Sequence, residues 1–305
     1  MKYWPRHPPT AVRDPQLSQE DFQRIAQLAH AEAGLTMPDA KEPLVYARLA
    51  KRLRQLSLTS FTAYLDLISR PEGRDERSMF ISSMTTNTTR FFREEHHFEL
   101  LSERVLPPLL DAARHGARVR FWSAGCSSGE EPFSMAITLL ELCPDAGHYD
   151  IKILATDIDR KILGRAQAGW FAASSLAALP DAVLAHHFGP PDRDGRREVS
   201  ADLRALVTFK PLNLVKPWPV TRPFDVIFCR NVAIYFDPDT QNRIWRGFAS
   251  TLAPGGHLFI GHSERLSHEV RHQFETVGMT SFRLRAPPPT GGSGKEIFGG
   301  TQGQH

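Results

Sequence analysis

The chain has 305 residues, 41% hydrophobic and 23% charged, the balance of a globular protein with room for two ordinary domains or one large one. A net charge of +3 is too small to point to nucleic acid, and no apolar run is long enough to span a bilayer or is placed as a cleavable signal. The three cysteines, Cys126, Cys143 and Cys229, lack framework spacing and read as reduced thiols of a cytoplasmic protein.

Residues 1–16 are rich in proline and charge and are expected to be disordered. Ser18 is placed to cap a helix, with Asp21 three positions on; Phe22, Ile25, Ala26 and Ala29 repeat at helical spacing, and Gly34 ends the run. Further helices are expected over residues 39–56, around Phe61, Tyr64, Leu65 and Ile68 up to Pro71, and over 75–84. Residues 17–85 thus form a small all-helical domain. A linker with a helix, bent near Pro107 and Pro108, fills 86–116.

From residue 118 the pattern changes to alternating strands and helices. Strands are expected at 118–123, 151–156, 224–229, 257–261 and 281–285, with helices starting near Glu130, Arg160 and Asp237. That alternation predicts an α/β domain over 117–286, built on a mainly parallel, Rossmann-like sheet. Between about 180 and 212 the pattern breaks. A helix at 182–187, a turn from Gly189 to Gly195 containing Pro190 and Pro191, and short strands at 197–200 and 206–210 read as a small antiparallel insertion. The Pro/Gly-rich tail, 287–305, is expected to be disordered.

The stretch RVRFWSAGCSSGEEP, residues 118–132, is strand, glycine loop and helix start. Glu130 and Glu131 stand where a phosphate would otherwise sit, at the positive end of a helix. They disfavour a pyrophosphate and suit a cationic or hydroxyl-bearing cofactor, of which S-adenosylmethionine is the common example. A P-loop would need Gly-Lys-Ser/Thr where the chain has Gly129-Glu130, and a dinucleotide fingerprint would need a third glycine. Asp157 ends the second strand, 28 residues after Gly129, where an acid can accept both ribose hydroxyls; Asp159 is the candidate helix cap. Arg230 and Asn231 emerge at the carboxyl end of the strand at 224–229, with Tyr235 close behind. The absence of an Asn-Pro-Pro-Tyr element there argues against methylation of a nucleic-acid base. His96 and His97 are adjacent, so they face different ways on a helix, and no metal is expected.

Three blocks, MTTNTTRFFREE (84–95), FWSAGCSSGEEPFSM (121–135) and FDVIFCRNVAIYFDP (224–238), resemble the chemotaxis receptor glutamate methyltransferase family, the CheR type. ATDIDRKILGRAQAGW (155–170) and PGGHLFIGHSER (254–265) add to the likeness, which runs in order over residues 18–285. The resemblance implies a class I S-adenosylmethionine-dependent methyltransferase domain, a small helical N-terminal domain and a β-subdomain insertion. It implies that Asn87, Thr89 and Arg93 reach the cofactor from the linker. Glu131 would contact it beside the first strand, Asp157 would hold the ribose, and Asn213 and Leu214 would flank the adenine. Arg230, Asn231 and Tyr235 would border the transferred methyl. Ala233 stands where the family often has a bulkier residue, and the short proline-containing insertion turn argues against a tether for a pentapeptide at the receptor's C-terminus.

The implied reaction moves a methyl to a glutamate carboxylate and releases S-adenosylhomocysteine. That nucleophile is ionised at neutral pH, so no general base is required. Arg93 or Arg230 is a candidate to orient the carboxylate, and Tyr235 to shape the methyl passage. Arg48, Lys51 and Arg52 share one face of the helix at 39–56 and are the candidate surface for an acidic receptor helix. A monomer that binds neither nucleic acid nor membrane is expected. The alternatives are a methyltransferase of another protein or of a small carboxylate, and a non-catalytic cofactor-binding scaffold.

Overall fold

The computed structural model describes residues 15–286, so the expected disorder of 1–14 and 287–305 lies outside the described residues. Pro15 is buried, so the expected disorder does not extend to residues 15 and 16. The N-terminal helices are α1 (Gln19–Ala33), α2 (Glu42–Gln55), α3 (Phe61–Ser69) and α4 (Arg74–Met84). Ser18 caps α1 by accepting from Asp21 N, and Gly34 leaves it in the left-handed region at φ 69°. Their apolar faces meet in one core that holds Phe22, Ile25, Leu49, Leu53, Phe61, Tyr64, Ile68 and Phe80.

The link is less regular than a bent helix. Helix α5 (His96–Leu100) passes into a π-turn, Leu101–Val105, before α6 (Leu106–Arg114). Pro107 and Pro108 have no N–H to return to the preceding turn, and Leu106 N bonds Leu101 O instead, one residue further back than in an α-helix.

The remaining elements follow as β1 (Val119–Ala124), α7 (Glu130–Leu142), β2 (Ile151–Asp157), α8 (Arg160–Ala168), β3 (Trp170–Phe171), α9 (Ala173–Leu176), α10 (Asp181–His187), β4 (Arg197–Glu198), α11 (Ala201–Leu206) and β5 (Val207–Pro211). After these come β6 (Phe224–Cys229), α12 (Pro238–Thr251), β7 (Leu252–Ile260), α13 (His268–Arg271), β8 (Phe274–Gly278) and β9 (Ser281–Leu284). The seven-stranded sheet has the order β5-β2-β1-β6-β7-β9-β8. β5, β2, β1, β6 and β7 run parallel, and β9 is antiparallel to β7 and β8. On β1, Phe121 faces a core shared with Phe133 and Phe228, while Trp122 faces the opposite one with Trp245 and Phe248. β1 lies between β2 and β6, so the strand order reverses there and opens a crevice at the carboxyl ends.

Three expectations about strands are corrected. Val207–Pro211 belongs to the main sheet, in parallel register with β2 from Ile153↔Val207 to Asp157↔Pro211. The antiparallel partner of β4 is β3, just after α8, and their ladder is two residue pairs long. The strand expected at 257–261 begins earlier, at Leu252, and Phe274–Gly278 adds an edge strand that the pattern did not suggest.

Candidate active site

The crevice is a cleft of about 1100 Å³, counted to its open mouth. Asn87, Thr89, Arg93, Glu131, Asp157, Asn213, Leu214, Arg230, Asn231 and Tyr235 all line it. They come from the linker, the first turn of α7, the end of β2, the segment after β5 and the segment after β6.

The floor is the loop after β1. Gly125 sits at φ 86°, and a Cβ there would lie 2.3 Å from Val232 Cγ2, so only glycine fits. Ser127 N donates to Asp157 Oδ2 at 2.8 Å, and Asp159 N donates to Asp157 Oδ1 at 2.9 Å. Asp157 is buried, and that burial pushes its carboxyl up to about 6, against the pull of those N–H bonds. Each oxygen retains a lone pair beyond its N–H bond, so the carboxylate can accept further donors from the cleft.

Asp159 caps α8 by accepting from Lys161 N and Ile162 N. Its carboxylate also receives Ser82 Oγ at 2.6 Å, Asn87 Nδ2 at 2.9 Å and Thr85 Oγ1 at 3.3 Å. Asn87 O accepts from Ser127 Oγ. The Asn87 side chain is therefore occupied with the helix cap, and its backbone braces the glycine loop. Asn213 is likewise engaged: Nδ2 donates to Glu32 O and Oδ1 accepts from Val215 N, fixing the turn that presents Leu214.

The acids at the start of α7 do not act as a pair of free negative charges. Glu130 turns away from the cleft and accepts from Ser128 Oγ, with its carboxyl pushed up by burial. Glu131 accepts from Ser123 Oγ at 2.6 Å and from Arg230 Nε at 2.8 Å, which neutralises it. Arg230 also donates to Arg93 O and His97 Nδ1 and lies within 5.3 Å and 5.4 Å of the Phe98 and Phe228 ring centroids. Met279 O can only accept from His97 Nε2 and Arg230 can only donate to Nδ1, so Nδ1 is the acceptor; Nε2 also bonds Thr280 Oγ1, and burial and Arg230 hold the ring's pKa down at about 3. Arg230 is thus a fixed wall. Arg93, half-buried, donates to Thr88 O from Nη1 and has further N–H groups for the cleft.

The three cations of α2 do not form a free face. Arg52 pairs with Glu76 through Nε and Nη2, and Tyr64 donates to the same carboxylate. Arg48 folds inward to donate to Met84 O and Thr86 Oγ1. It lines a narrow groove beside the cleft, and the two cavities meet at Leu35, Met84, Thr86 and Tyr235. Lys51 is exposed. Equal spacing along a helix says which cations share a face but not which of them a neighbouring helix neutralises.

Glu264 is the structural member of the site that residue-level reading missed. It lies in the block 254–265, yet its partners are backbone amides of residues 231–233 and 261. Nothing local to its own neighbourhood marks that role. Among the described residues no group of three or more His, Cys, Asp and Glu is gathered as metal ligands.

Comparison with known proteins agrees with this architecture. Residues 20–85 match the family described as "CheR methyltransferase, all-alpha domain", and residues 87–283 match "CheR methyltransferase, SAM binding domain". The chain is 48% identical over 258 residues to a "Probable chemotaxis protein methyltransferase" of Rhizobium etli, covering 84% of this chain and 96% of that one. It is 43% identical over 272 residues to a "Chemotaxis protein methyltransferase" of Escherichia coli, covering 88% and 92%. With "Chemotaxis protein methyltransferase 2" of Pseudomonas aeruginosa the identity is 39% over 270 residues, covering 87% and 93%.

Proposed function

The chain belongs to the CheR methyltransferase family, and from that premise we propose that it methylates glutamate side-chain carboxylates of chemotaxis receptors. The products are glutamate methyl esters and S-adenosylhomocysteine. The observation that carries this choice of acceptor is that no unassigned base lines the cleft among the described residues. Among the described residues that line it, the acids are Glu131, paired with Arg230, and Asp157, held by two backbone amides and assigned here to the ribose; no histidine, lysine or cysteine is among them. An amine or hydroxyl acceptor would have to be deprotonated. A glutamate, with an ordinary pKa near 4.3, arrives as the nucleophile.

The residues present fit S-adenosylmethionine. Asp157 has acceptor capacity for ribose hydroxyls, and Asn231 Oδ1 is buried without a hydrogen-bond partner. Leu212 and Leu214 offer apolar surface for adenine. When bound, the cofactor supplies an electrophilic methyl on a sulfonium. The chain's own residues hold and align: Arg93 pairs with the incoming carboxylate, Tyr235 narrows the passage, and Arg230 with Glu131 keeps that wall rigid. Aligning two bound reactants can lower the barrier by on the order of 7–11 kcal/mol. Arg48, in the groove beside Tyr235, is on the substrate side of this arrangement.

The β3–β4 ladder supports recognition of the methylation helix itself rather than of a C-terminal receptor peptide. A peptide adding to a sheet edge needs a row of unpaired backbone groups, and a ladder of two residue pairs offers few.

The test is incubation with radiolabelled S-adenosylmethionine and receptor cytoplasmic fragments. Label released as methanol by mild base is the expected result. Incorporation that resists base, or none with any receptor fragment while S-adenosylhomocysteine still binds, would overturn the reading.

A further inference from the structure

We infer that Glu264 is a positioning residue of the methyl-transfer site, setting the segment that carries Asn231 and Tyr235 by holding its backbone from behind. The inference rests on the function proposed above and adds a residue to it. Glu264 is 3% exposed. Its Oε2 accepts from Gly261 N at 2.6 Å and Asn231 N at 3.0 Å; its Oε1 accepts from Val232 N at 2.9 Å and Ala233 N at 2.7 Å. Burial pushes the carboxyl's pKa up, and these four bonds oppose that rise.

Only an ionised carboxylate fits this arrangement. It has two oxygens, accepts at both and donates from neither. Glutamine has one oxygen, and its NH2 would face two N–H donors. The geometry held in this way is demanding. Asn231 is at φ 59°, in the left-handed region. A Cβ at Gly261 would come within 2.7 Å of Asn231 Nδ2 and 2.8 Å of Asn231 N, so the two strand ends are in close contact. Arg230, Asn231, Val232, Ile234 and Tyr235 of this one segment line the cleft.

There is a second consequence. Successive backbone N–H groups pointing one way form a nest that binds anions. Residues 231–233 form such an array beside the cleft, and Glu264 fills it from within. With the nest occupied, an incoming substrate carboxylate is directed to Arg93 and Tyr235 rather than to the loop backbone.

The test compares wild type with Glu264→Gln by amide hydrogen exchange and by steady-state methylation of a receptor fragment. Exchange should quicken at residues 231–235 and 261 while β1 and β2 stay protected. kcat should fall on the order of tenfold or more, with KM for the receptor within about threefold, because misplacement of aligned groups costs rate rather than encounter. Should Glu264→Gln fail to fold, Glu264→Asp keeps both acceptors on a shorter stem and should give a smaller loss of kcat. Unchanged exchange in the segment, or a loosened segment with wild-type kcat, would overturn the inference. If the wild type methylates no receptor, the function proposed above fails. Glu264's hold on the segment is then still read from the exchange data, and its role in transfer is refuted with that function.

Discussion

Arg230 Nε donates to Glu131 Oε2 at 2.8 Å where the two side chains are only 2% and 8% exposed. Removing either partner of an ion pair so withdrawn from water leaves a poorly compensated buried charge, since Arg230 would then face Glu94 Oε2 at 4.0 Å and Glu131 would lose its cation. Arg230→Ala or Glu131→Ala alone should each destabilise the protein by roughly 3–5 kcal/mol in denaturant unfolding. The double variant should lose less than the sum. Additive losses would mean the two side chains act separately.

Cofactor binding should weaken in acid through Asp157. Its carboxyl is pushed up to about 6 in the free protein, so below that pH it is protonated and no longer accepts from both ribose hydroxyls. The sign for folding is opposite. A carboxyl raised in the folded state favours folding most below its unfolded pKa, near 3.9, and loses that contribution as pH rises through about 6. The thermal shift caused by S-adenosylhomocysteine should therefore grow between about pH 5 and 7. Asp157→Ala should abolish that dependence and cost roughly 1.5–3 kcal/mol of binding in calorimetry. Affinity flat across this range in wild type would exclude Asp157 as the ribose acceptor.

The cations of α2 should separate into three behaviours. Arg52→Ala should lower stability by roughly 1–3 kcal/mol, because Glu76 loses both guanidinium bonds and, among the described residues, keeps the Tyr64 hydrogen bond. Lys51→Glu should leave receptor methylation within about twofold, as for most exposed charges. Arg48→Ala should slow methylation while leaving S-adenosylhomocysteine affinity intact. A large, salt-sensitive loss from Lys51→Glu would restore α2 as a docking face.

Methylation of one receptor with and without its last residues should proceed at the same rate, within about twofold, given how little backbone the β3–β4 edge offers an added strand. A steep loss on truncation, with measurable binding of the free peptide, would show that the tether is used.

Gly125→Ala should abolish cofactor binding and cost roughly 1–3 kcal/mol in backbone strain alone. Gly116→Ala is the control, since Gly116 has φ 87° but nothing within 4 Å of its built Cβ. Equal cofactor affinity in the two variants would mean that the contact with Val232 is unimportant.

Much of this was readable from residue order, and the failures share a cause. As helix caps, Ser18, Asp159 and Gly34 act within a few residues of themselves, so capping chemistry located them, while the bonds from Asp159 to Ser82, Thr85 and Asn87 were not legible. The glycine loop and Asp157 follow a fixed strand–loop–helix plan. Residues 206–210 read as a strand, but the neighbour of that strand was not legible, because an alternating edge strand looks alike in a parallel or an antiparallel pair. Arg52 reads as a free cation until α4 brings Glu76 against it, 24 residues away. Glu264 reaches amides about 30 residues upstream, and no local pattern encodes that distance.

The Asp159 junction bears on how such proteins can be recombined. The matches to the helical and cofactor-binding segments meet between residues 85 and 87, and Ser82 and Thr85 both bond Asp159 across that boundary. A chimera cut there would pair a donor's Ser82 and Thr85 with a host's helix cap, and a mismatch at Asp159 would reach the glycine loop through Asn87, whose side chain bonds Asp159 and whose carbonyl accepts from Ser127. The two segments are therefore best exchanged as a linked set, with the seam residues and Asp159 inherited together.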